Sequence, residues 1–109
     1  MFAPECMIRG KEIENVKEDF RNAQRVEQYR ISGKALYLPE GLRWKYLPIA
    51  EIRNADESFR VISGGHCVPI REKRPELDLD TDAGKIHLQL EKTENMQLIL
   101  NVLKQESQV

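Results

Sequence analysis

The chain has 109 residues, the length of about one domain, and 40% of them are hydrophobic while 32% are charged. The net charge is −1, and no apolar run approaches the roughly 20 residues of a membrane-spanning helix. Basic residues are too sparse for general nucleic-acid binding, and the first residues, MFAPECMIRGKEIEN, lack a signal-peptide pattern. We therefore expect a cytoplasmic protein for which nucleic acid is an unlikely partner.

Charge and cysteine positions give two further limits. Residues 31–74 carry 8 basic and 5 acidic side chains, whereas residues 75–109 carry 3 and 7. Cys6 and Cys67 lie far apart and match no metal or redox spacing. Two reduced thiols are expected, because a disulfide between them would require an oxidising compartment.

The first predicted element is a helix from Glu12 to about Gln28, which follows a loose arm over the first ten residues. Its apolar side chains recur at steps of three and four, as on one helical face. They are Ile13, Val16, Phe20 and Ala23. This face is predicted to pack on its own domain or, through Ile13, Val16 and Phe20, on a second subunit in a homodimer.

The segment ALYLPEGLRWKYLPIAEI, residues 35–52, predicts the first hairpin. YRISGKALYL forms the first strand, with Gly33 at a bulge or close approach. The Pro-Glu-Gly sequence at 39–41 predicts a tight turn, because Pro fixes φ and Gly adopts the unusual φ that closes a hairpin. Pro48 cannot donate a ladder hydrogen bond, so strand pairing should end or bend there.

Alternation in LRWKY predicts two faces for the second strand. Leu42, Trp44 and Tyr46 share one face, and Arg43 and Lys45 share the other. If the aromatic face is buried, it starts the core. If it is exposed, it marks a contact surface, where aromatic residues are enriched.

The later strands follow in order. IAEIRNA predicts a short turn that leads into the strand ESFRVIS, and the glycines at 64–65 predict another turn. HCVPIREK predicts a short or edge strand because Pro69 interrupts it. RPELDLDTDAGKIHLQLE is the clearest hairpin, since leucine and isoleucine alternate with polar residues on both strands.

The chain ends in a predicted helix with Thr93 as the N-cap and Glu94 in the first turn. Its apolar stripe is wide and should close a large hydrophobic opening. The order is therefore helix, about six antiparallel strands, helix, which indicates an α+β fold rather than α/β.

This order, with the Pro-Ile step in KYLPIAEI (residues 45–52), resembles the pleckstrin-homology-like (PH-like) fold, over roughly residues 29–105. It is most similar to small bacterial PH-like proteins of unknown function. The resemblance implies a partly open barrel or two orthogonal sheets, closed at one end by the C-terminal helix. It divides the single structural domain into an N-terminal arm and helix, residues 1–28, and a PH-like part, residues 29–109. Phosphoinositide binding is not expected, because the first hairpin loop carries few basic residues.

DLDTDAG has aspartates at the spacing of the first three ligands of a calcium loop, namely Asp78, Asp80 and Asp82. Such a loop needs Gly sixth and Glu twelfth, where this chain has Ala83 and Gln89. Their alternation with leucine predicts instead the solvent face of a strand.

His66, Cys67 and His87 are the candidate metal or nucleophile set. Zinc needs three or four ligands supported by further hydrogen bonds, and adjacent ligands at 66 and 67 are unfavourable. His87 is also predicted on the wet face. We therefore expect no metal, no cofactor and no enzyme, unless the fold brings these three residues together in a deep pocket.

The candidate contact surface combines the aromatic strand with the basic cluster REKR. Its residues are Arg43, Trp44, Lys45, Arg71, Lys73 and Arg74. The simpler interpretation of the cluster is a solvated strand edge paired with nearby acids. The predicted function is a non-enzymatic module that binds a protein or peptide at an open sheet edge or beside the C-terminal helix. The alternative is a weak binder of anionic membranes or anion surfaces that uses the basic side chains.

Overall fold

A computed structural model describes residues 3–63 and 71–107. These residues form eight strands, two α-helices and a 3-10 turn at Ile49–Glu51, in an α+β fold. The elements are β1 (Glu5–Cys6), α1 (Val16–Asn22), β2 (Gln24–Val26), β3 (Tyr29–Ile31), β4 (Ala35–Glu40), β5 (Arg43–Pro48), β6 (Ile52–Ser63), β7 (Arg71–Thr81), β8 (Gly84–Gln89) and α2 (Thr93–Ser107).

The strands form two sheets rather than a closed barrel. The first sheet has the order β1-β5-β4-β3-β2, and the second has the order β6-β7-β8. All pairs are antiparallel except β1 with β5. The predicted α+β class with a C-terminal helix is confirmed, and two separate sheets are the form that it takes.

The N-terminal region differs from its prediction. The helix predicted from Glu12 to about Gln28 is shorter in the structure and consists only of α1. Ala23 is extended, and the next three residues pair with β3. The predicted loose arm is also wrong. Cys6 pairs with Tyr46 of β5, and the Met7 N–H donates to the Tyr46 carbonyl at 2.9 Å.

The first hairpin forms where it was predicted. β4 and β5 pair in register, Gly41 closes the turn with φ of +62°, and β5 ends at Pro48. Leu42 does not share the aromatic face, because it lies in the turn and is 104% exposed. Ser32 and the residues around it separate β3 from β4, so YRISGKALYL forms two strands rather than one.

The predicted hairpin RPELDLDTDAGKIHLQLE, residues 74–91, is confirmed as β7 and β8. β6 is longer than predicted and starts directly after the 3-10 turn. Ile52 pairs with Thr81 and Asn54 with Asp80, so Arg53 is the extra residue of a β-bulge. The predicted turn at 64–65 and most of the HCVPIREK strand lie outside the described residues.

The first sheet is buried on both faces. Leu36 and Leu47, which are cross-strand partners, belong to the main core with residues from the second sheet and α2. Their neighbours Tyr37 and Tyr46, also cross-strand partners, belong to a second cluster with Phe20 of α1. We call this second group the aromatic cluster. The predicted stripe residues Ile13, Val16 and Ala23 pack against it.

The second sheet is buried on one face only. Leu77 and Leu79 of β7 and Leu88 of β8 are fully buried beneath α2, whose Met96 and Ile99 are buried as well. Alternate positions carry polar side chains that are half-buried or exposed. α2 begins at Thr93, so the predicted N-cap residue is the first residue of the helix.

Glu27 fixes the start of α2 from a distant turn. Its carboxylate accepts hydrogen bonds from the backbone N–H groups of Glu91 and Lys92, at 2.8 and 3.1 Å, and from the side chain of Asn95, at 2.8 Å. Glu27 itself has a φ of +55°, an uncommon conformation for a residue with a side chain. The turn between β2 and β3 therefore connects the first sheet to α2.

Neither helix in residues 3–63 and 71–107 combines the length and apolar character that crossing a bilayer requires.

Candidate functional site

A groove lies between α2 and the beginning of β6, with a volume of about 180 Å³. We call it the α2 groove. It is lined by Ile49, Ile52, Arg53, Asn54, Ala55, Leu100, Leu103 and Lys104. It lies beside the C-terminal helix, where binding of a protein or peptide stays a prediction.

The floor of the α2 groove is apolar because three elements direct hydrophobic residues to one place. Ile49 lies in the 3-10 turn that follows Pro48, and its N–H donates to the Lys34 carbonyl at 3.0 Å. Ile52 and Ala55 come from β6 and pack against the main core. Leu100 and Leu103 come from the α2 stripe, one helical step apart on the same face.

The rim of the α2 groove is basic and polar. Arg53, the bulged residue of β6, forms an ion pair with Asp82 in the β7–β8 turn. A bulge changes the direction of a side chain relative to its neighbours, which explains why Arg53 lines the groove without a cross-strand partner. Lys104 is exposed on the last turns of α2. Two cations therefore flank an apolar floor.

β6 supplies an edge beside the groove. In the described part of the chain it has a neighbour on one side only, which is β7. A strand in this position presents backbone N–H and C=O groups along its other side, where a further strand can pair. The edge runs from Asn54 to Ser63 without a further register shift.

The predicted aromatic and basic residues of the first hairpin have partners within the chain. Tyr46 is buried, and its hydroxyl accepts the Ile13 N–H at 3.1 Å. Trp44 is half-buried and contacts Phe20 with ring centroids 5.0 Å apart. Tyr46 is thus a core residue, whereas Trp44 packs against the aromatic cluster and keeps part of its surface exposed, so its contact role stays a prediction.

The two cations of this hairpin lie beside acids. Arg43 is 3.8 Å from Glu5, and Lys45 is 2.9 Å from Glu40. The hydrogen bond and charge of Glu40 raise the pKa of Lys45. Neither side chain is directed into the α2 groove.

The remaining predicted cations lie in the second sheet, on β7. Arg74 forms an ion pair with Glu91, and Lys73 is exposed opposite Val61 of β6. Arg71 pairs through its backbone with Ser63, and its side chain lies outside the described residues. The six predicted contact residues are therefore divided between two sheets, and the anionic-surface contact stays a prediction.

Phe59 and Val61 are exposed hydrophobic residues on β6, at 56% and 58%. They share a strand face with Ala55, since alternate residues of a strand point to one side. Their partners on β7 are Pro75 and Lys73, beyond the part of β7 that β8 covers. The sheet face that is part of the core near the groove is therefore exposed to solvent at Phe59 and Val61.

The residues predicted for a dimer contact pack inside the chain. Phe20 is buried and lies edge-on to Tyr37 at 5.1 Å, while Ile13 and Val16 are half-buried beside it. Asp19 accepts hydrogen bonds from the Tyr37 and Ser32 hydroxyls, at 2.5 and 2.6 Å. Burial and the nearby Asp19 carboxylate raise the pKa of Tyr37. The homodimer stays a prediction.

The metal and nucleophile set is not brought together in the described residues, since His66 and Cys67 lie outside them. His87 Nδ1 lies 2.6 Å from Asp78 Oδ1, and Glu76 lies close to both, on the open face of the second sheet. Hydrogen bonding to Asp78 raises the pKa of His87. A cross-strand ion pair accounts for this arrangement, because Asp78 and His87 are direct partners.

The aspartates of DLDTDAG do not form a calcium loop. Asp78 and Asp80 lie on β7, where they alternate with the buried Leu77 and Leu79 as predicted. Asp82 lies in the turn, where it pairs with Arg53.

None of the eight residues that line the groove is among the six predicted contact residues. Arg53 could not be located from the pattern IAEIRNA, because a bulge depends on how two strands pair and not on local sequence. Lys104 was not singled out. The apolar stripe of α2 predicted that the helix closes a hydrophobic opening, and Leu100 and Leu103 of this stripe line the groove.

Comparison of the chain with known protein families, with curated proteins and with solved structures finds no match.

Proposed function

We propose that the chain is a non-enzymatic PH-like module of the cytoplasm that binds an extended segment of a partner protein in the α2 groove. The segment adds to the edge of β6 as a further strand, and one of its apolar side chains enters the groove. Backbone pairing supplies affinity in this mode, and the pocket for alternate side chains supplies specificity.

The observation that carries the proposal is the meeting of a groove that has an apolar floor and an open strand edge at Asn54 and Ala55. Either feature alone is common on protein surfaces. Together they fit a peptide, because an added strand points alternate side chains toward the face on which α2 lies.

The size of the groove supports a side chain rather than a cofactor as its occupant. Its volume of about 180 Å³ is below the roughly 300–1,000 Å³ of small-molecule sites. The floor of Ile49, Ile52 and Leu103 offers hydrophobic contact to a side chain.

Selection from a library of random 12-residue peptides displayed on phage, with the full chain as bait, tests the proposal. We expect enriched peptides to contain alternating apolar residues and to bind as synthetic peptides in fluorescence titrations. Ala55→Gln should weaken their binding about tenfold, because it places an amide without a partner in the groove.

Ala83→Gln is the matched control, since it makes the same substitution at an exposed alanine of the β7–β8 turn, outside the groove lining. It should leave affinity within about twofold, and thermal unfolding should show that both variants fold. Failure to enrich any peptide, or equal effects of the two substitutions, would contradict the proposal.

A further inference from the structure

The α2 groove has a charge pattern that the proposed function does not use. Arg53 and Lys104 lie at its rim, and both line the same cavity. Asp82 is the acid paired with Arg53, and it belongs to the β7–β8 turn rather than to the groove lining. An incoming carboxylate would therefore meet the rim cations Arg53 and Lys104, and at Arg53 it would compete with Asp82.

The ion pair between Arg53 and Asp82 is exposed and can exchange. The side chain of Arg53 is 71% exposed and that of Asp82 is 43% exposed. Surface ion pairs contribute little to the free energy of folding. A carboxylate of a bound peptide can therefore take the place of Asp82 beside Arg53 at a small cost in free energy. Arg53 has no cross-strand partner, because it is the extra residue of the bulge. Its side chain forms the ion pair with Asp82 and lines the groove.

We propose that the segment bound in the α2 groove carries an aspartate or glutamate, which lies between Arg53 and Lys104 and displaces Asp82 from Arg53. This inference rests on the proposed function, since it names the chemistry of the same occupant. An arginine–carboxylate contact is directional, so it would also fix the register of the added strand relative to the apolar anchor.

The test uses a 12-residue peptide enriched on the wild-type chain, synthesised with a C-terminal amide, and a copy in which each acidic residue is replaced by its amide. We expect the enriched peptides to contain an acidic residue near the apolar anchor. The acidic peptide should bind about three- to fivefold more tightly than its copy at low salt, the range of exposed ion pairs. High salt should reduce this difference.

Reciprocal variants assign the carboxylate to Arg53. Arg53→Gln should reduce the preference for the acidic peptide, and its effect on the affinity of the amide copy should be smaller. Asp82→Asn should tighten binding of the acidic peptide by removing the competitor. Lys85→Gln is the control, because it removes an exposed cation of β8 outside the groove lining. It should leave the preference intact.

The outcomes separate the two proposals. Enriched peptides without acidic residues, or an acid preference that Arg53→Gln leaves intact, would overturn the inference while peptide binding at the groove stands. Failure to enrich any peptide would overturn both the inference and the proposed function.

Discussion

The two sheets of this molecule are covered to different extents. The first sheet is enclosed on both faces, by the main core on one side and by α1 with the N-terminal segment on the other. The second sheet is enclosed on one face by α2. This face is exposed at Phe59 and Val61, which lie opposite the part of β7 that does not pair with β8. Buried surface therefore stabilises both faces of the first sheet at its centre, whereas β6 has an edge, a groove and exposed hydrophobic residues.

This difference indicates which regions of the molecule stabilise the fold and which can bind a partner. Fully buried, hydrogen-bonded residues such as Tyr37 have no remaining surface for a partner. The incompletely covered strand β6 has both apolar contacts and backbone groups to offer. We expect substitutions in the enclosed regions to lower the free energy of unfolding, and substitutions along β6 to change binding.

Substitutions on the inner face of the second sheet give the largest expected contrast. Leu79→Ala should lower the free energy of unfolding by about 2–5 kcal/mol, because Leu79 is fully buried. Phe59→Ala, on the uncovered part of this face, should change it by less than about 0.5 kcal/mol. Urea denaturation checks both values, and similar losses for the two variants would contradict the difference in cover.

The hydrogen bonds of Asp19 give the next largest effect, within the first sheet. Asp19→Ala should lower the free energy of unfolding by about 2 kcal/mol, because the Tyr37 and Ser32 hydroxyls lose their shared acceptor. Tyr37→Phe removes one donor and leaves the acid paired with Ser32, so its cost should be about 1 kcal/mol. A larger loss for Tyr37→Phe than for Asp19→Ala would show that the carboxylate is not the centre of this network.

Substitution of Glu27 tests the connection between the first sheet and α2. Glu27→Ala removes the acceptor for three hydrogen-bond donors at the start of α2 and should cost about 1 kcal/mol, as loss of a helix cap does. Glu94→Ala is the control, since this exposed acid lies in the first turn of the same helix. Its effect should be about 0.3 kcal/mol. Equal melting-temperature shifts for the two variants would exclude the capping role of Glu27.

His87 gives the smallest effect, on the open face of the second sheet. Asp78 raises its pKa above the ordinary value of 6.5. A raised pKa stabilises the folded chain below pH 6.5, and this contribution is lost as pH rises through the folded-state value. NMR titration of the imidazole should show the raised pKa, and Asp78→Asn should return it toward 6.5 whereas Asp80→Asn should not. An unchanged titration in Asp78→Asn would assign the shift to another cause.

Residue patterns predicted most of the secondary structure. Alternation located β7 and β8, the Pro-Glu-Gly turn located the first hairpin, and the apolar stripe located α2. The patterns overestimated α1, because Gln24–Val26 pair with β3 and this tertiary pairing overrides helix propensity. They also missed β1, since two residues are too few for a periodic signal.

The residues of the candidate site were not predicted. The wide stripe of α2 predicted that the helix closes a hydrophobic opening, and Leu100 and Leu103 of this stripe line the groove. Arg53 could not be predicted, because the bulge that positions it is a property of strand register. The basic cluster drew attention to β7 instead, where local sequence cannot reveal that Arg74 pairs with Glu91.

The most direct test of the account is amide chemical-shift mapping by NMR, with an enriched 12-residue peptide added to the full chain until saturation. Binding by strand addition at the α2 groove predicts that the largest shifts fall within Ile52–Ala55 and Leu100–Lys104. It also predicts slower hydrogen exchange along the edge of β6. Shifts confined to the open face around His87, or to Phe59 and Val61 with the groove unchanged, would contradict it.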